Sequence, residues 1–235
     1  MKEIKFFPVK KEVELGGSAP KPALKFIPEW YKNIPIYTDN EKKLSMKEDA
    51  QMHNHTLKKC VPFLDAMTSG YVFTLDDDIY VEQVNNEPYI RWKSEVEIIT
   101  WHSLNQFPGF SIPDDYHYMV AKFHNDWKIT TPKGYSLFCT HPSNRFDLPF
   151  RTISGFVDTD TYSQPIQFPF ILKKGFEGII EAGTPVAQLI PIKRDDWKSI
   201  QEPYNADVAY KNFRAFRRTF ANSYRKNFWQ KKKYQ

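Results

Sequence analysis

At 235 residues the chain can bury a sizeable core, as one domain or as one domain with appendages. Its two cysteines, Cys60 and Cys139, exclude a disulfide framework, and Cys60 has no Cys or His after it at zinc-ligand spacing, so a reduced, cytoplasmic setting is expected. The net charge of +5 is uneven: residues 205–235 hold nine Lys or Arg against one acid, Asp207, a net +8 that leaves −3 for residues 1–204.

No run of about 18 apolar residues occurs, and MKEIKFFPVKKEVELGG has no apolar segment of signal-peptide length, so no transmembrane helix is expected. Ile4–Val9 reads as a strand, followed by a polar Gly-Gly-Ser-Ala-Pro loop. Pro28 before Glu29-Trp30-Tyr31 suits the start of a short helix that docks two aromatics. Residues 39–52 are the most polar window, an exposed loop or short helix. His53 and His55 share one face if the segment is extended, but no third ligand stands nearby, so they read as surface histidines. Leu64–Thr68 reads as one helical turn.

From Gly70 to Ser103 the pattern is strand-like, with turns at Asp76-Asp77-Asp78 and Asn85-Asn86-Glu87-Pro88, as in a β-meander. The three aspartates lack the alternation, central Gly and distal Glu of a calcium loop and read as an acidic turn. Residues 104–120 form an aromatic loop that covers a core edge or lines a binding surface. Lys122–Ile129 is a strand candidate. His124-Asn125-Asp126 has the His-x-Asp form of a facial-triad iron site, but the only later histidine, His141, is too close for that layout.

Residues 131–194 carry short β-type runs at Tyr135–Thr140, Thr152–Val157, Ile166–Leu172, Phe176–Glu181 and Val186–Ile192, punctuated by turn residues. Such spacing argues for an all-β barrel or sandwich over βαβ units. Beyond it, Tyr210, Phe213, Phe216, Phe220, Tyr224 and Phe228 recur three or four residues apart, one face of an α-helix, with Arg and Lys on the others. The aromatic face is expected to pack on the body or on a neighbouring subunit. Arg214, Arg217, Arg218, Arg225 and Lys226 are the candidate contacts to a partner or to nucleic-acid phosphates, with an anionic membrane surface as a further option.

The order Pro132-Lys133-Gly134-Tyr135, Pro142-Ser143-Asn144-Arg145, Ser154-Gly-Phe-Val-Asp-Thr-Asp160 and Ala182-Gly-Thr-Pro-Val-Ala-Gln-Leu-Ile190 resembles the motif series of the dUTPase / dCTP deaminase superfamily. Ser69-Gly70-Tyr71 with Asp78-Ile79 resembles that family's first motif. The chain is also similar to an uncharacterised bacterial and phage family with the layout Pro-Glu-Trp-Tyr … Lys-Lys-Cys-x-Pro-Phe, met here at residues 28–31 and 58–63. The superfamily resemblance implies a mainly β protein: a dUTPase-like distorted β-barrel over residues 56–194, with an amino-terminal arm (1–55) before it and a basic amphipathic helix (195–235) after it. Val157, Val186, Ala187 and Leu189 would keep the barrel core. The resemblance implies Asp158 as the water-activating carboxylate, Asp160 as its companion, and Ser143, Arg145, Tyr162 and Gln188 as nucleotide contacts. It also implies a homo-oligomer, a trimer first.

Nucleotide hydrolysis needs a carboxylate for the water, a cation across the phosphates, and Arg, Ser and backbone N–H groups for the developing charge. Departures from the family pattern weigh against it. Thr161 stands where the family has Tyr, the Arg-Ser motif is altered to Pro-Ser-Asn-Arg, and no Gly follows Gly183. The strand holding Gln167-Phe168-Pro169-Phe170 lacks a deaminase's Glu. The expectation is therefore a non-catalytic binding or assembly module without a cofactor, phage-encoded or virion-associated, in host cytoplasm or virion. The alternatives are a divergent, magnesium-dependent dUTP/dCTP hydrolase or deaminase, and a nucleic-acid-binding protein using the carboxy-terminal helix.

Overall fold

The computed structural model describes residues 2–37, 56–217 and 223–235. The polar window 39–52, His53, His55, Arg218 and Phe220 lie outside the described residues. The strands are β1 (Lys5–Pro8), β2 (Lys21–Pro22), β3 (Tyr71–Thr74), β4 (Ile79–Val84), β5 (Glu87–Trp92), β6 (Ile99–Trp101), β7 (Tyr116–Phe123), β8 (Trp127–Thr130), β9 (Tyr135–Thr140), β10 (Phe150–Thr152), β11 (Gly155–Val157), β12 (Phe168–Lys173), β13 (Gly178–Ile180) and β14 (Pro185–Lys193). Short helices α1 (Lys11–Gly16), α2 (Glu29–Asn33) and α3 (Val61–Thr68) lie in the first third; α4 (Ala206–Arg217) and α5 (Ser223–Asn227) close the chain.

The protein is mainly β, in antiparallel sheets. A five-stranded sheet runs β11-β9-β14-β3-β2, a four-stranded sheet β10-β12-β7-β6, a three-stranded sheet β13-β4-β5, and β1 pairs with β8. Turn chemistry fixes several registers. β4 and β5 are joined by Asn85 and Asn86 at φ 54° and 65°, the two left-handed positions that a two-residue type I′ hairpin needs. Gly134, at φ +82°, lets the Pro132–Tyr135 turn close with Tyr135 N–H donating to Pro132 O.

The closed barrel expected over residues 56–194 is not formed among the described residues; the sheets keep separate edges. The reason lies at Ile153-Ser154. The run Thr152–Val157, expected as one strand, is two: β10 pairs with β12 in one sheet and β11 with β9 in the other. A chain that changes sheet at such a corner builds a sandwich. The strand expected over Lys122–Ile129 is likewise interrupted. Asn125, fully buried, donates from Nδ2 to Trp127 O and accepts the Trp127 N–H at Oδ1, both at 2.9 Å, which turns the chain between β7 and β8.

One aromatic pair bridges the two larger sheets, and two more pack within the four-stranded sheet. Phe73 on β3 lies 5.3 Å from Phe168 on β12, Phe123 stacks on Phe170 at 3.7 Å, and Phe150 meets Phe123 edge-on at 5.1 Å. Val186, Ala187 and Leu189 are fully buried beside them, whereas Val157 is only half-buried. Residues of the expected arm are bonded into this body: β1 lies on β8, β2 on β3, and Ala23 N–H donates to Gly70 O. Gly70, at φ +73°, has no room for a side chain, because a Cβ there would sit 2.1 Å from Leu189 O. The other face of the five-stranded sheet is partly covered by α3 and a 3-10 turn at Ala23–Phe26. Trp30 and Tyr31 dock on Phe63 of α3, the two motifs Pro-Glu-Trp-Tyr and Lys-Lys-Cys-x-Pro-Phe meeting there.

Candidate functional site

Asp158 and Asp160 follow β11, in a turn closed by Thr161 and Tyr162 N–H groups donating to Asp158 O at 3.0 and 2.8 Å. β14 runs antiparallel to β9 with Lys193 opposite Tyr135, which delivers Arg194 to the same spot. Its Nη1 donates to Asp158 Oδ1 and to Asp160 Oδ1, each at 3.0 Å, and its Nη2 donates to Asp160 Oδ2. Ser136 Oγ adds a 2.6 Å bond to Asp158 Oδ1, and Gly134 N–H a 2.8 Å bond to Asp160 Oδ2. The Asp160 side chain is 4% exposed, the Asp158 side chain 63%.

The electrostatics follow from these contacts. Hydrogen bonds from Arg194, then from the Gly134 N–H, hold the Asp160 carboxyl at about 2, below its ordinary 3.8. Asp160 in turn raises the Arg194 guanidinium. The trio carries a net −1, and its only cation is already shared by two carboxylates. A triphosphate would meet repulsion there. Tyr162 is beside this turn and exposed.

Ser143, Arg145 and Gln188 form a second, separate group. Gln188, in mid-β14, is 1% exposed and has used its donors and acceptor: Oε1 accepts the Ser143 N–H at 2.8 Å, and Nε2 donates to Ala66 O at 2.8 Å and Ser69 O at 2.6 Å. It ties α3 and the 142–148 loop to the sheet. Arg145 grips Asp147 through Nε and Nη2, each at 2.8 Å. Burial alone would push the Asp147 carboxyl up, but hydrogen bonds from Arg145 and Trp30 outweigh it and hold that carboxyl low. The cavity between Met67, Val72, Ser143, Arg145, Pro185 and Gln188 is about 10 Å³, room for one water and not for a base.

The two groups do not converge. Gln188 is opposite Thr140 and Asp158 is bonded to Ser136, four residues along β9, roughly 13 Å at the ~3.3 Å rise of a strand. Sequence reasoning missed Arg194, Ser136 and Gly134 at the first group. It also missed His141 beside the second. His141 Nε2 bonds Arg145 O at 3.0 Å, and its Nδ1 accepts the Thr152 N–H at 3.2 Å, an arrangement that requires the neutral ring.

Elsewhere, Asp76, Asp77 and Asp78 act as an acidic turn, their carboxylates accepting from the Ser18, Ser94 and Ala182 N–H groups at 3.0, 2.8 and 2.8 Å. His124 bonds Thr100 and Asp126 pairs with Lys10, so the His-x-Asp run does not face a common ligand. Among the described residues no three His, Cys, Asp or Glu come together as a metal site. Cys139 is buried, which pushes its thiol up to about 12; Cys60 is exposed.

The carboxy-terminal face begins with Asn205, whose Oδ1 accepts the Asp207 and Val208 N–H groups at 3.1 Å and caps α4. Arg214 is exposed and sits 5.6 Å over the Tyr210 ring; Arg217 closes α4; Arg225 and Lys226 are exposed on α5. No described helix is long and apolar enough to cross a membrane. No protein-family model matches the chain, and no curated protein matches it either.

His141 gives a pH signature. Burial lowers its pKa from 6.5, so the folded state binds the proton less well than the unfolded state does. Stability is then fully present above 6.5 and falls as pH drops through 6.5 toward the lowered folded value. In urea titrations at pH 7.5, 6.5 and 5.5 the wild type should lose stability stepwise, and His141→Gln should flatten that slope. Equal slopes in the two proteins would contradict the neutral-ring assignment.

Proposed function

We propose that this chain is a non-catalytic binding or assembly module built on a dUTPase-like scaffold. The observation that carries the reading is the closure of Asp158 and Asp160 over Arg194. A water-activating carboxylate must be free to take a proton, and a phosphate-binding Arg must be free to meet negative charge. Here Arg194 is bonded to both carboxylates, and Asp158 Oδ1 and both Asp160 oxygens already accept hydrogen bonds. Gln188 and the Ser143 N–H are spent in the same way, and the cavity beside them admits no nucleobase. The order of the motifs supports the dUTPase-like scaffold, with the strands opened into a sandwich. Assembly of this kind is the work of oligomeric and particle-forming proteins, a virion component among them. The exposed apolar side chains of residues 197–213 supply a surface for it.

A second reading, nucleic-acid binding through the carboxy-terminal helices, is favoured by one feature. Arg214 lies over Tyr210 and Arg225 over Trp229, at 5.6 and 5.9 Å, and neither guanidinium has an acidic partner among the described residues. Cations beside aromatic rings suit phosphates and unstacked bases.

Thermal melts with dUTP or dCTP and magnesium, wild type beside Asp158→Ala, test the first reading. A ligand at a hundred times its dissociation constant would add about 2.7 kcal/mol, and each kcal/mol moves the midpoint of a chain this long by roughly 2–4 °C. The expected result is no shift with either nucleotide. A shift lost in Asp158→Ala, with release of pyrophosphate or ammonia, would restore the hydrolase or deaminase reading. For the second reading, affinity for a 20-nucleotide DNA should fall steeply with salt, with a log–log slope near −0.7 per neutralised phosphate on single strands. Arg214→Ala with Arg225→Ala should make that slope shallower. Binding that ignores salt, or none at all, eliminates it.

A further inference from the structure

Residues 229–235 form neither helix nor strand, yet they are held on the body. Trp229 Nε1 and Lys232 Nζ both donate to Asp65 Oδ2, at 2.8 and 2.6 Å. Tyr234 meets Tyr71 edge-on at 6.0 Å and packs against the core, and Tyr71 Oη donates to Gln235 O at 3.1 Å. Gln230, Lys231 and Lys233, which lie between these anchors, are exposed. The contacts therefore follow the pattern Trp-x-x-Lys-x-Tyr. Side-chain anchors separated by residues that face water are the mark of a bound peptide.

The groove that those anchors enter is built by the body itself. Its wall is α3, pinned beside Asp65 by Gln188 Nε2, which donates to Ala66 O and Ser69 O. Its floor is Tyr71, which follows the crowded Gly70 turn and meets Phe6 of β1 edge-on at 5.4 Å. None of these ties involves residues 229–235, so wall and floor remain when the segment leaves. Asp65 decides what the groove recognises. It lies in the last turn of α3, where the aligned peptide dipoles disfavour a carboxylate. Its side chain is only 17% exposed, and Trp229 and Lys232 are its side-chain donors among the described residues. A largely buried carboxylate stripped of its donors is costly, so an emptied groove calls for a ligand that brings an indole N–H and a cation.

We propose that the groove between α3 and Tyr71 is a recognition site for peptides of the form Trp-x-x-Lys-x-Tyr, plugged in the free chain by its own residues 229–235. The inference rests on the binding-module reading and names the class of partner. The plug is displaceable because few contacts hold it. Residues 195–214 of the connector are all exposed, so retention falls mainly on the three anchors. The ion pair among them is open to salt, with the Lys232 side chain 45% exposed. Tethering keeps the plug at an effective concentration of roughly a millimolar, so a partner peptide must bind tightly to displace it. The Asp65 carboxylate repels phosphate, which turns nucleic acid and anionic lipid away from this groove.

The test is fluorescence anisotropy of a labelled peptide with the sequence of residues 227–235, NFWQKKKYQ, titrated with the full chain at physiological salt. Three proteins are compared: wild type, Trp229→Ala with Lys232→Ala to empty the groove, and that pair with Asp65→Ala added. The emptied chain should bind the peptide about tenfold more tightly than wild type, whose groove is occupied. Adding Asp65→Ala should weaken that binding by about tenfold or more, the usual loss for a hydrogen bond to a charged group. A scrambled peptide of the same charge should not bind. Tyr234→Ala serves as a second way to empty the groove if melts show the double variant unfolded. No binding by the emptied chain, equal binding by wild type, binding indifferent to Asp65→Ala, or equal binding of the scrambled peptide would each overturn the proposal. Sedimentation of wild type separates the two sources of the plug. Self-association that disappears in Trp229→Ala/Lys232→Ala would place the segment in a second copy and overturn the intramolecular plug. The nucleotide melts probe Asp158, so failure here leaves the non-catalytic reading standing.

Discussion

Arg194 between Asp158 and Asp160 ties the far ends of three strands together. It leaves β14, reaches the turn after β11, and through Tyr135 O and Ser136 Oγ touches the start of β9. These are the strands of the five-stranded sheet on which the rest of the molecule is laid. At the other end of the same strands Gln188 does the equivalent work with neutral groups, joining sheet, α3 and the 142–148 loop. A buried amide of this kind is stabilising only because each of its hydrogen-bonding groups is answered; an unanswered one costs about 1–3 kcal/mol. Asp158, Asp160, Arg145 and Gln188 thus all serve as structural ties.

The same accounting separates what holds the fold from what a catalytic site would need. The β runs of residues 131–194 depend on apolar alternation and on turns, and both survive in the core formed by Val186, Ala187, Leu189 and the Phe123/Phe150/Phe168/Phe170 cluster. Catalysis depends on a few groups left open toward a ligand. Fold does not carry function with it. In this chain Arg194, Asp158 and Asp160 are bonded to one another, and exposed apolar side chains lie instead between Trp197 and Phe213 and at Phe156 and Ile192 on β11 and β14.

Much of this was legible in the residues. Tyr135–Thr140 was readable with its correct bounds, because turn residues flank it, Pro132-Lys133-Gly134 on one side and His141-Pro142-Ser143-Asn144 on the other. The helical spacing of Tyr210 and Phe213 was readable too, since period alone decides it. The switch of sheets at Ile153-Ser154 was not, because a period of two says which face a residue takes and nothing about which sheet it joins. The turn at Asn125 was hidden inside a β-like run, its cause being side-chain bonds to the backbone two residues on.

At the site, Asp158 and Asp160 announced themselves as a motif, whereas Arg194, 36 and 34 residues away, is brought to them only by the register of β14 on β9. Gln188 was visible as a residue, but its partners are backbone groups of Ser143, Ala66 and Ser69, which leave no residue signature. The account therefore turns on whether Asp160 is held in its charged form by the Arg194 tie. A carbon-13 carboxyl NMR titration of the folded protein, with Asp160 assigned through Asp160→Asn, measures this directly. A midpoint at about 2 is the result predicted here. A midpoint at or above the ordinary 3.8 would show the carboxylate untied, and the closed-site reading would fall with it.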